Sequence, residues 1–179
     1  MIRLFAALAL PEAVRQRLAQ VRAPLPGARW VPLENLHVTL RFIGEVEPSM
    51  AGDIDALFSR VVAPSFDIRL AELGTFGSRS RVRALWAGVE KTEPLAHLQA
   101  KIETACGRAG LPPEGRKFHP HVTLARCRDV RETTVAEFVA TYGGFDLPTI
   151  SIDAFALYSS RMGRSGAVYT REAEYLLER

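Results

Sequence analysis

Two stretches of this 179-residue chain carry the same four letters, H-V-T-L: His37 to Leu40 and His121 to Leu124. The copies stand 84 positions apart (121 − 37) and use two of the chain's four histidines. Side chains on a strand alternate between faces, so His37 and Thr39 share one face while Val38 and Leu40 share the other. The second copy divides the same way, His121 with Thr123 and Val122 with Leu124. Histidine titrates near neutrality, so one imidazole can be neutral while its counterpart is protonated. On opposite sides of a phosphodiester, the neutral ring takes a proton from the attacking oxygen. The protonated ring gives one to the departing oxygen. Threonine hydroxyls donate to the non-bridging oxygens, where the transition state holds negative charge. That chemistry is phosphoryl transfer with no metal and no cofactor. A lone His-x-Thr is ordinarily a local hydrogen-bonded pair, whereas two identical copies point to two halves of one site.

A metal reading competes through His119 and His121, whose i, i+2 spacing puts both imidazoles on one strand face. No Asp or Glu adjoins either motif to complete a coordination shell, and His37 has no matching neighbour. His119 reads as a rim residue of open role, and His97 as an ordinary helix residue.

The motifs need strands to carry them, and the chain supplies the strand–helix–strand–helix–strand order twice. In the first half a strand is expected at Ile2 to Leu10, then a helix from Pro11 to about Arg22, with Pro11 at the first helical position. The strand His37 to Ile43 follows, closed by Gly44, then a helix near Ser49 to Val62 and a strand from Phe66 to Leu73. In the second half Val82 to Val89 resembles Ile2 to Ala9. A helix from about Pro94 to Ala109 carries an apolar stripe of Leu95, Leu98, Ile102 and Ala105. The strand His121 to Cys127, a helix near Glu132 to Thr141 and a strand Phe145 to Leu147 complete the repeat. Even L-G-T-F-G-S-R, from Leu73 to Arg79, is echoed by F-A-L-Y-S-S-R, from Phe155 to Arg161. The expected fold is α+β and bilobal. Two pseudo-symmetric lobes of mostly antiparallel sheet carry helices outside and a central cleft between them. The repeat divides the chain roughly into 1–80 and 81–179 within one two-lobed domain.

Composition agrees with an ordinary globular protein: 47% apolar residues, 24% charged and a formal charge of +3. The mild basicity tolerates a polyanion without requiring one. Cys106 and Cys127 fit neither a disulfide framework nor a zinc motif, and read as free thiols in a reducing cytoplasm. The opening M-I-R-L-F-A-A-L-A-L-P has a thin basic start and a short apolar run, and reads as a buried strand rather than a signal segment. No stretch reaches the length of a membrane span.

With these residues in view, the chain resembles the two-histidine phosphoesterase superfamily. Within it, the chain is similar to the bacterial and archaeal RNA 2′,3′-cyclic phosphodiesterases once described as 2′-5′ RNA ligases. I-R-L-F-A-A-L-A-L-P, W-V-P-L-E-N-L-H-V-T-L-R-F-I-G-E-V, L-W-A-G-V, F-H-P-H-V-T-L-A-R and L-Y-S-S all carry the likeness. The resemblance implies hydrolysis of a terminal 2′,3′-cyclic phosphate to a 2′-phosphomonoester, with His37 as proton donor to O3′ and His121 as the base that activates water. The reverse reaction would join a cyclic end to a 5′-hydroxyl by a 2′-5′ bond. RNA with 2′,3′-cyclic phosphate ends, tRNA fragments among them, is the implied partner, for a monomer working in the cytoplasm without a membrane. Alternatives are phosphodiester cleavage in 2′-5′ oligoadenylates or small cyclic nucleotides, and a non-catalytic binder of RNA ends.

Further residues extend the site. Thr39, Thr123 and Arg126 are candidates to bind phosphate, Arg126 by a charge-assisted bond or else as a surface residue. Phe42, Phe76 and Tyr158 are candidates to stack a base, with core packing the first expectation for Phe42. Arg79, Arg81 and Arg161 follow Phe76 and Tyr158 and could touch the backbone of a nucleic acid.

Overall fold

The computed structural model describes residues 1–144 and 147–179. Its elements run β1 (Ile2–Ala9), α1 (Glu12–Ala19), β2 (Ala28–Trp30), a 3-10 turn (Leu33–Asn35), β3 (His37–Val46), α2 (Pro48–Phe58), β4 (Phe66–Ile68), β5 (Leu70–Ser78) and β6 (Arg81–Val89). They continue α3 (Glu93–Arg108), β7 (His121–Val130), α4 (Glu132–Tyr142), β8 (Ile150–Ile152), β9 (Ala154–Gly163) and β10 (Gly166–Leu176). The architecture is the expected α+β one. Eight strands form an antiparallel sheet in the order β10-β9-β1-β3-β7-β6-β5, with β2 also on β7, and β4 pairs with β8.

The sheet narrows to one paired position at its centre. β3 and β7 meet only at Val38 and Val122. On one side of that junction stands β3-β1-β9-β10, and on the other β7-β6-β5. The outer strands are exchanged between the halves of the sequence. β5 comes from the first half but lies on β6, while β9 comes from the second half and lies on β1. One helix crosses over too: α3 packs on β3 and α2, whereas α4 stays on the β5 and β6 side.

Alternation explains the core. Val38, Leu40, Val122 and Leu124 are each at most 3% exposed and meet the apolar faces of the helices, where burial of each such side chain stabilises by about 1.5–3 kcal/mol. Both motif strands then break the alternation at the same place. The register slips where Leu40 stands against β1, and again where Leu124 stands against β6. Each slip is a bulge with one extra residue, so the next side chain also turns inward. In β7 that residue is Ala125; in β3 it is Arg41, a buried guanidinium. Its Nε lies 2.8 Å from Glu103 of α3, and its terminal nitrogens donate to Glu114 and to the carbonyls of Phe42 and Pro112. A first-half strand is thereby tied to a second-half helix and loop.

Several boundaries differ from the sequence reading. Gly44 does not close its strand; with φ +89° it lies inside β3, next to a further slip at Ile43, where the backbone needs a left-handed residue. Pro11 stands one residue before α1, and Pro48 of α2 holds the first helical position instead. The strand expected from Phe66 to Leu73 divides into β4 and β5, which join different sheets. Phe145 and Asp146, in the strand expected at Phe145 to Leu147, lie outside the described residues, and the nearest strand is β8. β10 had no counterpart in the reading. Among the described residues, no helix is long and apolar enough to cross a membrane.

Candidate active site

The junction of β3 and β7 carries both H-V-T-L copies side by side. Continuing the antiparallel register from Val38 and Val122 by one residue sets His37 opposite Thr123 and Thr39 opposite His121. All four side chains are partly buried and face away from the apolar side occupied by Val38 and Val122.

Both imidazoles are held the same way. His37 Nδ1 lies 2.7 Å from the carbonyl oxygen of Asn35, and His121 Nδ1 lies 2.6 Å from that of His119. A carbonyl only accepts, so each Nδ1 carries the hydrogen and each Nε2 is left as the titrating nitrogen. Asn35 and His119 occupy the same place in the two copies. Asn35 is buried, and its side chain donates to the carbonyl of Ala167 in β10 at 2.8 Å. His37 Nε2 lies 2.9 Å from Thr39 Oγ1. That hydroxyl donates to the neutral ring and accepts from the protonated one.

Burial pushes both imidazoles below their ordinary range, while the carbonyl bonds to Asn35 and His119 draw them back up. The Arg126 guanidinium lowers both rings; His121 adds to the lowering of His37, and His119 to that of His121. Arg126 is thus a cation that both histidines feel. Arg126 is exposed and pairs across the strands with Arg29 of β2, which donates to the carbonyl of Ser165.

The flanking rings break the symmetry. Phe42, Phe5 and Tyr158 form one cross-strand row, and Thr39, Ala7 and Ala156 the next. In the second copy the corresponding rows are Arg126, Ala84 and Phe76, then Thr123, Trp86 and Gly74. Large and small have changed places: Phe5 with Ala7 on one side, Ala84 with Trp86 on the other. Phe5 packs 4.9 Å from the His37 ring and stacks on Tyr158 at 5.3 Å, and Tyr169 closes edge-on against His37 at 5.5 Å. His121 has Phe76 edge-on at 4.8 Å and Trp86 at 6.1 Å. The indole occupies a slot left by glycine. A Cβ on Gly74 would stand 2.3 Å from Trp86 Cη2, and one on Gly88 3.2 Å from Cζ3.

The structure thus gathers His37, Thr39, His121, Thr123, Arg126, Phe76 and Tyr158 around one junction. Phe42 is no core residue; it is 41% exposed, with the Arg3 guanidinium 5.1 Å from its ring centroid. The bulge at Leu40 turns it outward and sends Arg41 in. Arg79, Arg81, Arg161 and His97 are exposed, and Arg79 lies 3.8 Å from Glu132. Phe5, Trp86, Tyr169 and Arg29 went unread in the sequence. Cys106 and Cys127 are free, and burial raises both thiols, Cys106 to about 11. Among the described residues, no group of three or more His, Cys, Asp or Glu forms that could hold a metal ion.

Two lobes on one repeated plan, each giving an imidazole to their junction, are the architecture of a two-histidine phosphoesterase. The family model for the 2′-5′ RNA ligase superfamily matches residues 10–164. An RNA 2′,3′-cyclic phosphodiesterase of Aeropyrum pernix is 31% identical over 87% of this chain and 88% of its own. That of Escherichia coli is 31% identical over 94% and 92%. The crystal structure of Escherichia coli LigT complexed with 3′-AMP superposes with a TM-score of 0.81 at 29% identity, covering 99% of both chains. This chain belongs to the 2′-5′ RNA ligase superfamily.

Proposed function

We propose that this protein is an RNA 2′,3′-cyclic phosphodiesterase that opens cyclic phosphate ends to 2′-phosphomonoesters. One observation carries the reading: two imidazoles flank the Val38–Val122 pair, each with Nδ1 fixed on a carbonyl and Nε2 left to titrate. In the proposed reaction His121 Nε2 takes a proton from water as the water oxygen bonds to phosphorus. The P–O3′ bond breaks in line, and protonated His37 Nε2 delivers its proton to O3′. Proton exchange with solvent then resets the pair. Thr39, Thr123 and Arg126 hold the non-bridging oxygens, whose charge they meet with fixed donors. Phe76 and Tyr158 are placed to take base faces.

Of the readings the residues left open, the relatives' shared name favours this one. The natural partners on this reading are RNA ends, those of tRNA fragments included, met by a monomer in the cytoplasm. The reverse reaction forms a 2′-5′ linkage. The test is product analysis on an RNA bearing a 2′,3′-cyclic phosphate, in excess chelator, separating 2′- from 3′-phosphate ends. Formation of the 2′-phosphate alone supports the proposal, while a 3′-phosphate product or an intact cyclic end overturns it.

A further inference from the structure

We propose that a cationic cavity beside His119 is a subsite for the phosphodiester on the 5′ side of the reacting nucleotide, so that the protein acts on strands in preference to single nucleotides. The proposal rests on the cyclic phosphodiesterase reading and adds to it which substrates are preferred. The cavity, about 410 Å³, is lined by Val89, Lys91, Lys117, Phe118, His119 and Pro120, a volume suited to one nucleotide unit. Its wall is anchored, because the Val89 N–H donates to the Pro120 carbonyl at 3.0 Å. Lys91 and Lys117 are both exposed, and Lys91 Nζ lies 5.9 Å from the Phe118 ring centroid.

Position gives this cavity its meaning. His119 belongs to its rim, and its carbonyl also holds His121. Around His121 the rings cluster on this side: Phe76 at 4.8 Å, His119 at 6.0 Å and Trp86 at 6.1 Å, with His119 4.8 Å from Trp86. Single-stranded RNA is held by stacking on such rings and by ammonium groups on its phosphates. A cyclic mononucleotide has one phosphate, which the histidine junction occupies. The two lysines that line the cavity with His119 meet an anionic group of the substrate only when a second phosphate follows. The equivalent place in the first copy is unlike this one, since buried Asn35 is turned to Ala167 instead. The strand therefore leaves the junction on the His119 side.

The experiment compares kcat/KM for a cyclic-phosphate mononucleotide with that for a dinucleotide carrying the same end, in wild type and in Lys91→Gln/Lys117→Gln. Wild type is expected to favour the dinucleotide at least tenfold. The double variant should lose about tenfold of that ratio and flatten the log–log salt dependence of dinucleotide binding by on the order of one. An unchanged ratio and salt slope in the double variant overturn the subsite. Should neither substrate turn over in wild type, the reaction reading fails instead. The subsite is then judged by equilibrium binding of a 2′-phosphorylated trinucleotide, whose Kd must rise about tenfold in the double variant; an equal Kd rejects it.

Discussion

Val38 and Val122 are the only residues through which β3 and β7 pair, and each directly follows a histidine of the duplicated motif. Fixing one register point fixes both imidazoles. A slip of a single residue would turn one His-x-Thr pair to the apolar side and its valine and leucine outward.

His37→Ala and His121→Ala should therefore each lower kcat/KM on a dinucleotide with a 2′,3′-cyclic phosphate end by roughly 10²–10⁴-fold, the worth of one general acid or base. The double variant should be little worse than the poorer single one, because the two groups act as a unit. Steady-state kinetics checks this; a single variant with more than a tenth of wild-type activity contradicts it.

Burial and Arg126 depress both imidazoles below the ordinary value of 6.5. The active pair holds one proton, and in the free protein that form is commonest between the two apparent pKa values. Both lie below 6.5, so kcat/KM should be bell-shaped with its maximum on the acid side of that value. It falls at higher pH as the remaining proton leaves and at lower pH as the second arrives. A bound diester brings negative charge beside Arg126 and offsets its effect, so the kcat maximum should lie at higher pH. Coincident maxima, or a kcat/KM maximum above pH 7, would show the charges act otherwise.

Gly74→Ala tests the slot under the indole, since its Cβ would meet Trp86 Cη2 at 2.3 Å. Displacing the ring should cost about 1–3 kcal/mol, as overpacking does, alter the tryptophan near-ultraviolet circular dichroism and raise KM. Gly107→Ala in α3 meets nothing within 4 Å and should be neutral or stabilising by up to about 1 kcal/mol. Equal effects at the two positions would remove the slot from the account.

Arg41→Ala leaves Glu103 and Glu114 without their shared cation. Breaking a fully buried pair costs about 3–5 kcal/mol. Both carboxylates here keep 28% exposure and can be rehydrated, so about 2–3 kcal/mol is expected from urea titration. A loss below about 0.5 kcal/mol, the level of ordinary surface changes, would reduce Arg41 to a bystander.

The duplicated tetrapeptide was legible because period-2 alternation sorts H-V-T-L into a polar and an apolar face without further context. The helices were legible to within a few residues from their apolar stripes. What surrounds the histidines was not. Phe42 and Arg41 exchange roles because of a bulge, and a bulge is set by the partner strand rather than by local letters. Trp86 and Phe5 reach their histidines through cross-strand register, which a linear reading does not contain. β10 escaped because its run from Gly166 to Leu176 mixes polar and apolar residues and forms the outer edge of the sheet, where Tyr175 alone is buried and no core imposes a pattern. The exchange of β5 and β9 was equally hidden, because the repeat in the letters implies that each half keeps its own strands.

That exchange has a consequence for how such a chain could arise. A half-length ancestor folding alone would lack its outermost strand and leave the edge beside it open to strangers. Two copies lending each other that strand would restore the sheet and bring the two motifs together. Nicked in the hairpin after Ser78, the present protein should remain one particle under native conditions, its fragments separating only on denaturation.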